Sequence, residues 1–150
     1  MNAIHAEITL AAPAALVWDT LMDFEAYPDW NPFITEIAGE RTLGSRLSVF
    51  LKPPGQAGMR FRPRVLKAER NAEFRWLGNL FVPGLFDGEH YFLVREIGPN
   101  TTRFVQGETF RGLLLPLLGG TLGAAKAGFE AMNAALKARV EASSSPGVLA

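Results

Sequence analysis

The stretch Leu113 to Ala142 constrains this chain more than any other. Leu114, Leu118, Leu122, Ala125, Phe129, Met132, Leu136 and Val140 recur at steps of three and four. That spacing sets them on one face of an α-helix. Lys126, Glu130, Lys137 and Glu141 fall on the other side. A continuous helix of about thirty residues would span roughly 45 Å. It cannot bury such a stripe alone, so something must wrap around it. Nearly everything upstream reads as strand. The expected class is α+β: a curved antiparallel sheet closed over one C-terminal helix. Gly119, Gly120, Gly123 and Gly128 interrupt the front of that helix. Each costs about 1 kcal/mol relative to alanine in a helix interior. They signal either a break near Gly119-Gly120 or room beside the backbone for a ligand.

The 150 residues suit one domain, expected over 1–142, with a disordered tail over 143–150. Hydrophobic residues make up 48% and charged residues 20%, enough to bury a real core. The net charge of zero argues against bulk electrostatic binding of nucleic acid. Cysteine is absent, which excludes disulfides, thiolate metal sites and cysteine nucleophiles and fits a reducing compartment. No basic region followed by an apolar run opens the chain, so no signal peptide is expected. No apolar run reaches the roughly 18 residues of a membrane span. The expected location is cytoplasmic, without integral membrane association.

Charge is unevenly spread. The first forty residues hold seven acids and no Lys or Arg, whereas residues 41–75 hold nine Lys or Arg against Glu69 and Glu73. These regions either lie apart on one surface or pair, within the domain or between subunits, and a homodimer stays open.

Residues His5 to Leu10 alternate and predict a first strand. Pro13 suits the first turn of a helix over Ala14 to Asp23. A second short helix or turn covers Phe24 to Asp29, and Pro28 and Pro32 push Trp30-Asn31 out of regular structure. Strands are then predicted over Phe33–Glu40, Arg46–Lys52, Met59–Arg70, Ala72–Leu80, Gly88–Ile97 and Thr101–Phe110. Along the third of these, Met59, Phe61, Pro63 and Val65 face one way and Arg60, Arg62 and Arg64 the other. Pro63 marks an edge or a bulge. A meander of six such strands brings Trp30-Asn31-Pro32, the Pro53–Gly58 loop, the Asn79–Asp87 loop and the start of the last helix to one end. The loop residues Phe81, Val82, Leu85 and Phe86 are unusually apolar for a hairpin tip. They form either a plug for the core or a mobile lid over a mouth.

Several separated segments carry a family likeness. Ala12-Pro-Ala-Ala-Leu-Val-Trp-Asp-Thr-Leu-Met-Asp, followed by Tyr27-Pro-Asp-Trp-Asn-Pro32, resembles the opening of the START-like (SRPBCC) superfamily, in its polyketide cyclase/dehydrase-like branch. His90-Tyr-Phe-Leu-Val, Thr102-Arg-Phe104 and Glu108-Thr-Phe-Arg-Gly112 before a long helix look like the same family. The resemblance covers about residues 3–142. It implies a helix-grip fold: about seven strands wrapped around the C-terminal helix, with two short helices between the first two strands. It also implies a cavity between sheet and helix for a small apolar or aromatic molecule, lipid- or polyketide-like. Because the matching residues are structural, the resemblance carries no particular activity.

Residues with chemical potential are few. Glu108 shares its strand face with Phe104 and Phe110, so its carboxylate is expected inside. There it can serve as acid, base or anchor for a ligand hydroxyl or amine, unless it reaches water at the strand end. His90 has the same parity as Phe92 on the neighbouring strand, and a Glu108–His90 pair can move protons for a dehydration or cyclisation. Alternatively His90 is a structural residue at a strand start. Gln106 is a third inward polar group, suited to orientation. The expected ligand contacts are Phe61, Trp76, Phe92, Phe104, Gln106, Phe110, Leu118, Leu122 and Phe129. Two histidines, His5 and His90, without clustered carboxylates fall short of a metal ligand sphere, and no cofactor is expected. Arg60, Arg62, Arg64, Lys67 and Arg70 form a basic stripe, read as a solvated outer face. Three readings follow in order: a binder of a small hydrophobic molecule, a cyclase or dehydratase using Glu108 with His90, and an interaction module using the basic strand Arg60–Arg64.

Overall fold

The computed structural model describes residues 2–80, 82–117 and 119–144. A first strand, β1 (Asn2–Leu10), is followed by helix α1 (Ala14–Met22), a single 3-10 turn (Phe24–Ala26) and the short helix α2 (Tyr27–Trp30). Seven strands come next: β2 (Ile34–Ala38), β3 (Ser48–Leu51), β4 (Met59–Phe61), β5 (Arg64–Glu69), β6 (Glu73–Leu80), β7 (Phe86–Gly98) and β8 (Thr101–Arg111). A 3-10 turn (Leu115–Leu117) leads to the last helix, α3 (Gly119–Ser144). At 26 residues, α3 is about 39 Å long.

The expected α+β class, antiparallel strands with a long C-terminal helix and two short helices after β1, is what the structure has, and its strands number eight, divided between two sheets. One sheet runs in the order β1-β8-β7-β6-β5 and the other β2-β3-β4. The division falls at Pro63, inside what the alternation predicts as one strand. Proline has no N–H for a ladder, so pairing lapses there. Its two flanks pair differently, β4 with β3 and β5 with β6. The chain before β3 stitches the sheets together: Leu47 N donates to Pro63 O at 2.8 Å, and Val65 N to Ser45 O at 2.9 Å. The facing of this segment is as predicted. Pro63 and Val65 are buried and Phe61 half-buried, whereas Arg60, Arg62 and Arg64 are exposed.

The start of the last helix also differs from the periodicity. Gly112, at φ +132°, bends the chain after β8 into a backbone region that L side chains rarely adopt. Pro116 sits in the 3-10 turn, and regular helix begins only at Gly119. From there the predicted stripe holds: Ala125, Phe129, Met132, Leu136 and Val140 are buried, and Lys126 and Glu130 are exposed. The helix runs through Ser143 and Ser144, two residues into the expected tail. Ser144 Oγ donates to Ala11 O at 3.0 Å. Residues 145–150 lie outside the described residues.

Helix α1 buries Val17, Trp18 and Leu21 against the sheet, with Trp18 edge-on to Phe74 at 6.5 Å. Asn31 explains the Trp30-Asn31-Pro32 break. Its Oδ1 accepts from Phe33 N at 2.9 Å and Ile34 N at 2.8 Å, which satisfies the backbone where Pro32 cannot and starts β2. Phe33 then inserts its ring against α3, where a Cβ on Gly128 would collide with it. It lies edge-on to Phe129 at 5.6 Å.

The charge asymmetry resolves within the domain. Arg41 pairs with Glu25 at 2.8 Å, Arg60 with Glu36 at 2.9 Å and Arg70 with Asp19 at 3.4 Å. Lys67 reaches Glu69 and Glu73. Of the basic stripe, Arg60, Lys67 and Arg70 are therefore matched by carboxylates in place. Among the described residues no helix is long and apolar enough to cross a membrane.

Candidate functional site

Three cross-strand rows on the inner face of β6–β7–β8 set up the site. Phe74, Phe92 and Gln106 form the first, Trp76, His90 and Glu108 the second, and Gly78, Gly88 and Phe110 the third. Side chains in such a row stand side by side on one face. Two glycines in the third row leave the sheet bare. A cavity of about 130 Å³ opens over this bare patch. Its far wall is the small sheet, through Val49, Leu51, Met59 and Phe61, with Phe33 beside them. Pro53, Gln56 and Ala57 stand at its mouth, and Phe86, Glu108 and Phe110 complete the floor.

The cavity is not where the resemblance places it. It lies between the two sheets, and α3 touches it through Ala125. The helix face beyond that point is already occupied. Phe129, Met132 and Leu136 are fully buried against Phe92, Phe104 and their neighbours in one continuous core. Of the expected contacts, Phe61, Trp76 and Phe110 line the wall. Phe92, Phe104 and Phe129 do not, because they fill the solid interior. Leu122 packs instead on a small cluster of Phe86, Phe110 and Leu115. Leu118 lies outside the described residues.

Glu108 and His90 meet as their parity predicts. They are directly opposed across β7–β8, and His90 Nδ1 lies 3.2 Å from Glu108 Oε1. The imidazole is almost wholly enclosed. Trp76 stacks on it at 4.7 Å and 10°, and Phe92 and Phe129 present edges at 5.1 Å each. Its Nε2 is buried without a hydrogen-bond partner. A neutral ring donating Nδ1–H to the carboxylate satisfies this geometry best, since an imidazolium would bury an unpaired charged N–H. His90 therefore orients Glu108 from behind and does not itself line the cavity. Glu108 does, with 15% of its side chain exposed. Its Oε2 occupies the space that a Cβ on Gly88 would take.

Gln106 sits one row deeper. Nε2 donates to Asn133 Oδ1 at 2.8 Å and to Phe129 O at 3.4 Å. It braces β8 to α3 and is absent from the cavity wall. Sequence periodicity misses Asn133, because an asparagine in an apolar stripe looks like an interruption rather than a partner.

The expected lid divides. Phe86 belongs to β7 and stacks on Phe110 at 5.5 Å, so it is a fixed part of the wall. Leu85 is half-buried, and its carbonyl accepts from Leu114 N at 2.9 Å. Val82 stands 55% exposed. Phe81 lies outside the described residues.

The space-making residues also differ from those the sequence suggests. The place left by Gly128 is taken by the Phe33 ring, and Gly120 and Gly123 have nothing within 4 Å. Gly78, in β6, leaves room in the cavity, and Gly88, in β7, leaves room for the Glu108 carboxylate. Their signal in the sequence is two glycines inside segments that otherwise alternate.

Comparisons with known proteins bear on the family and the fold. A family model described as polyketide cyclase / dehydrase and lipid transport matches residues 1–141. The chain belongs to that family. Among solved structures it is similar to a START superfamily protein from Mycobacterium smegmatis, with 25% identity and a TM-score of 0.74 over 93% of this chain and 97% of that one. It is also similar to the Zhui aromatase/cyclase from Streptomyces sp. R1128, with 16% identity and a TM-score of 0.78 over 97% of both chains. The di-domain ARO/CYC BexL of the BE-7585A biosynthetic pathway aligns at 17% identity and a TM-score of 0.76, over 97% of this chain and 48% of that one. No match is found among curated proteins. The polyketide cyclase / dehydrase family and its START-like fold accord with a hydrophobic ligand-binding or cyclase role.

Proposed function

We propose that this protein holds a small, mainly apolar molecule in the cavity between its two sheets, with Glu108 as the polar contact. One observation carries the reading. A hollow walled by Phe33, Phe61, Trp76, Phe86 and Phe110 converges on a single carboxylate. Apolar walls with a few placed polar groups are the usual make-up of small-molecule sites. Displacement of an environment-sensitive apolar dye, alongside native mass spectrometry of the purified chain, tests it. Saturable binding that is weakened by Phe61→Ala is expected. Failure of every apolar probe to bind would remove the reading.

The pairing of Glu108 with His90 favours a second reading, an enzyme of the cyclase or dehydratase kind. In a dehydration, Glu108 would take a proton from a substrate carbon and deliver it to the hydroxyl leaving the adjacent carbon. That hydroxyl departs as water while the C–H electron pair becomes the new double bond. His90, donating to Oε1, would hold the carboxylate in line. Glu108→Gln would then abolish turnover and leave the affinity for an uncharged substrate within about threefold, since the substitution preserves shape.

A further inference from the structure

Size and charge narrow the ligand class, given the binding reading above. A dry cavity of about 150 Å³ holds one benzene molecule, and pockets for drug-sized ligands begin near 300 Å³. At about 130 Å³ this hollow takes one aromatic ring, and a fused multi-ring skeleton exceeds it. The wall is also one-sided electrically. Among the described residues Glu108 is its only charged residue, and Gln56 at the mouth its only other Asn, Gln, Ser or Thr side chain. Among the described residues no Lys or Arg lines it, so a fatty carboxylate or a phosphate headgroup would meet a carboxylate with no cation there to offset it.

The carboxylate is arranged to receive a cation. Oε1 faces His90, and Oε2 lies over Gly88, where the missing side chain leaves it open to the cavity. Glu108 keeps partial contact with water, so an ammonium placed there need not shed its whole hydration shell. Aromatic rings on the surrounding walls add favourable faces and edges for a cation beside a ring. We infer that the preferred ligand is a single-ring aromatic ammonium, with its ring between Phe61 and Trp76 and its charged nitrogen on Glu108.

Calorimetric titration with three probes of like size tests this: phenethylammonium chloride, phenethyl alcohol and sodium phenylpropionate. The ammonium is expected to bind at least tenfold more tightly than the alcohol, and the carboxylate most weakly. Glu108→Gln should bring the ammonium down to the affinity that the alcohol shows for the same variant. Naphthylethylammonium should bind more weakly than phenethylammonium. Equal affinity for ammonium and alcohol, or a preference that survives in Glu108→Gln, overturns the charge assignment while leaving the apolar-ligand reading intact. Tighter binding of the two-ring ammonium overturns the size limit. Should none of the probes bind, both this inference and the reading beneath it fall. The wild-type series decides the charge preference even if the variant fails to fold.

Discussion

Strands β6, β7 and β8 cross two unlike halves of one interior. In the half nearer the C-terminal part of α3, Phe74, Phe92 and Phe104 close on Phe129 and Met132, all fully or nearly fully buried. In the other half, two residues further along β6 and β7 from Trp76 and His90, Gly78 and Gly88 leave the sheet uncovered and Glu108 stands beside the gap. The same strand geometry serves both. Along β6 and β7 the side chains in successive rows shrink from the benzyl groups of Phe74 and Phe92 to the hydrogens of Gly78 and Gly88. The lesson is that stability and ligand capacity are assigned to different rows of one sheet, so substitutions should separate them.

The largest separation is expected from the filled half. Phe129→Ala should cost about 3–5 kcal/mol in urea denaturation, through lost burial and the hole left behind. Phe61→Ala, at the half-buried wall of the hollow, should cost about 1 kcal/mol or less and instead weaken ligand binding. Similar losses from the two would erase the distinction between the halves.

A second contrast probes the brace between β8 and α3. Asn133→Ala leaves Gln106 Nε2 without its best acceptor in a buried place, and a loss of about 1–3 kcal/mol is expected in the same assay. Ligand affinity should be unchanged, since neither amide touches the cavity.

Gly78→Ala sharpens the comparison from the hollow side. A Cβ there meets Pro63 Cβ at 3.8 Å and Gly88 O at 3.9 Å, ordinary contact distances. Stability should hold or rise by about 0.5 kcal/mol, because alanine costs less backbone entropy on folding. Ligand affinity should fall, since the added methyl projects into the cavity. Calorimetry and thermal melting together read both signs.

The smallest effect lies outside both halves. Glu141 receives the Ala11 N–H, its main stabilising contact, and the Lys137 ammonium, and these hold its carboxyl below the usual value of 4.5. A group with a lowered native value stabilises the fold above its unfolded value. That contribution fades as pH falls from 4.5 through the lowered value. With solvent screening, Glu141→Gln should cost about 0.5 kcal/mol at neutral pH and nothing in strong acid. A cost that grows as pH falls would have the wrong sign.

Much of the fold was legible because it rests on local periodicity. The α3 stripe and the alternation of β1, β6, β7 and β8 each follow from burial on one face. The split at Pro63 was only half legible. Proline marks a lapse in pairing, but which sheet each flank joins depends on Leu47 and Ser45, supplied from another part of the chain. In the site, the parity of Glu108 and His90 was readable. Their opposition across β7–β8 needed the register. The bare patch was not readable at all, since Gly78 and Gly88 become neighbours only once β6 and β7 are aligned. The roles of Phe92, Phe104 and Phe129 were obscured for a related reason. A large apolar side chain facing inward looks the same in sequence whether it fills a core or lines a void.

The seating of Phe33 in the notch at Gly128 has a consequence for how anything gets in. A ring keyed into a gap one residue wide acts as a detent: sliding α3 a single position would drive Ala127 or Phe129 into it, and close-packed interiors resist such shifts. The helix is therefore held in register beside the cavity. The mouth is bordered instead by Pro53, Gln56 and Ala57, which makes the 53–58 hairpin the doorway and leaves the longest element of the protein as a fixed doorpost.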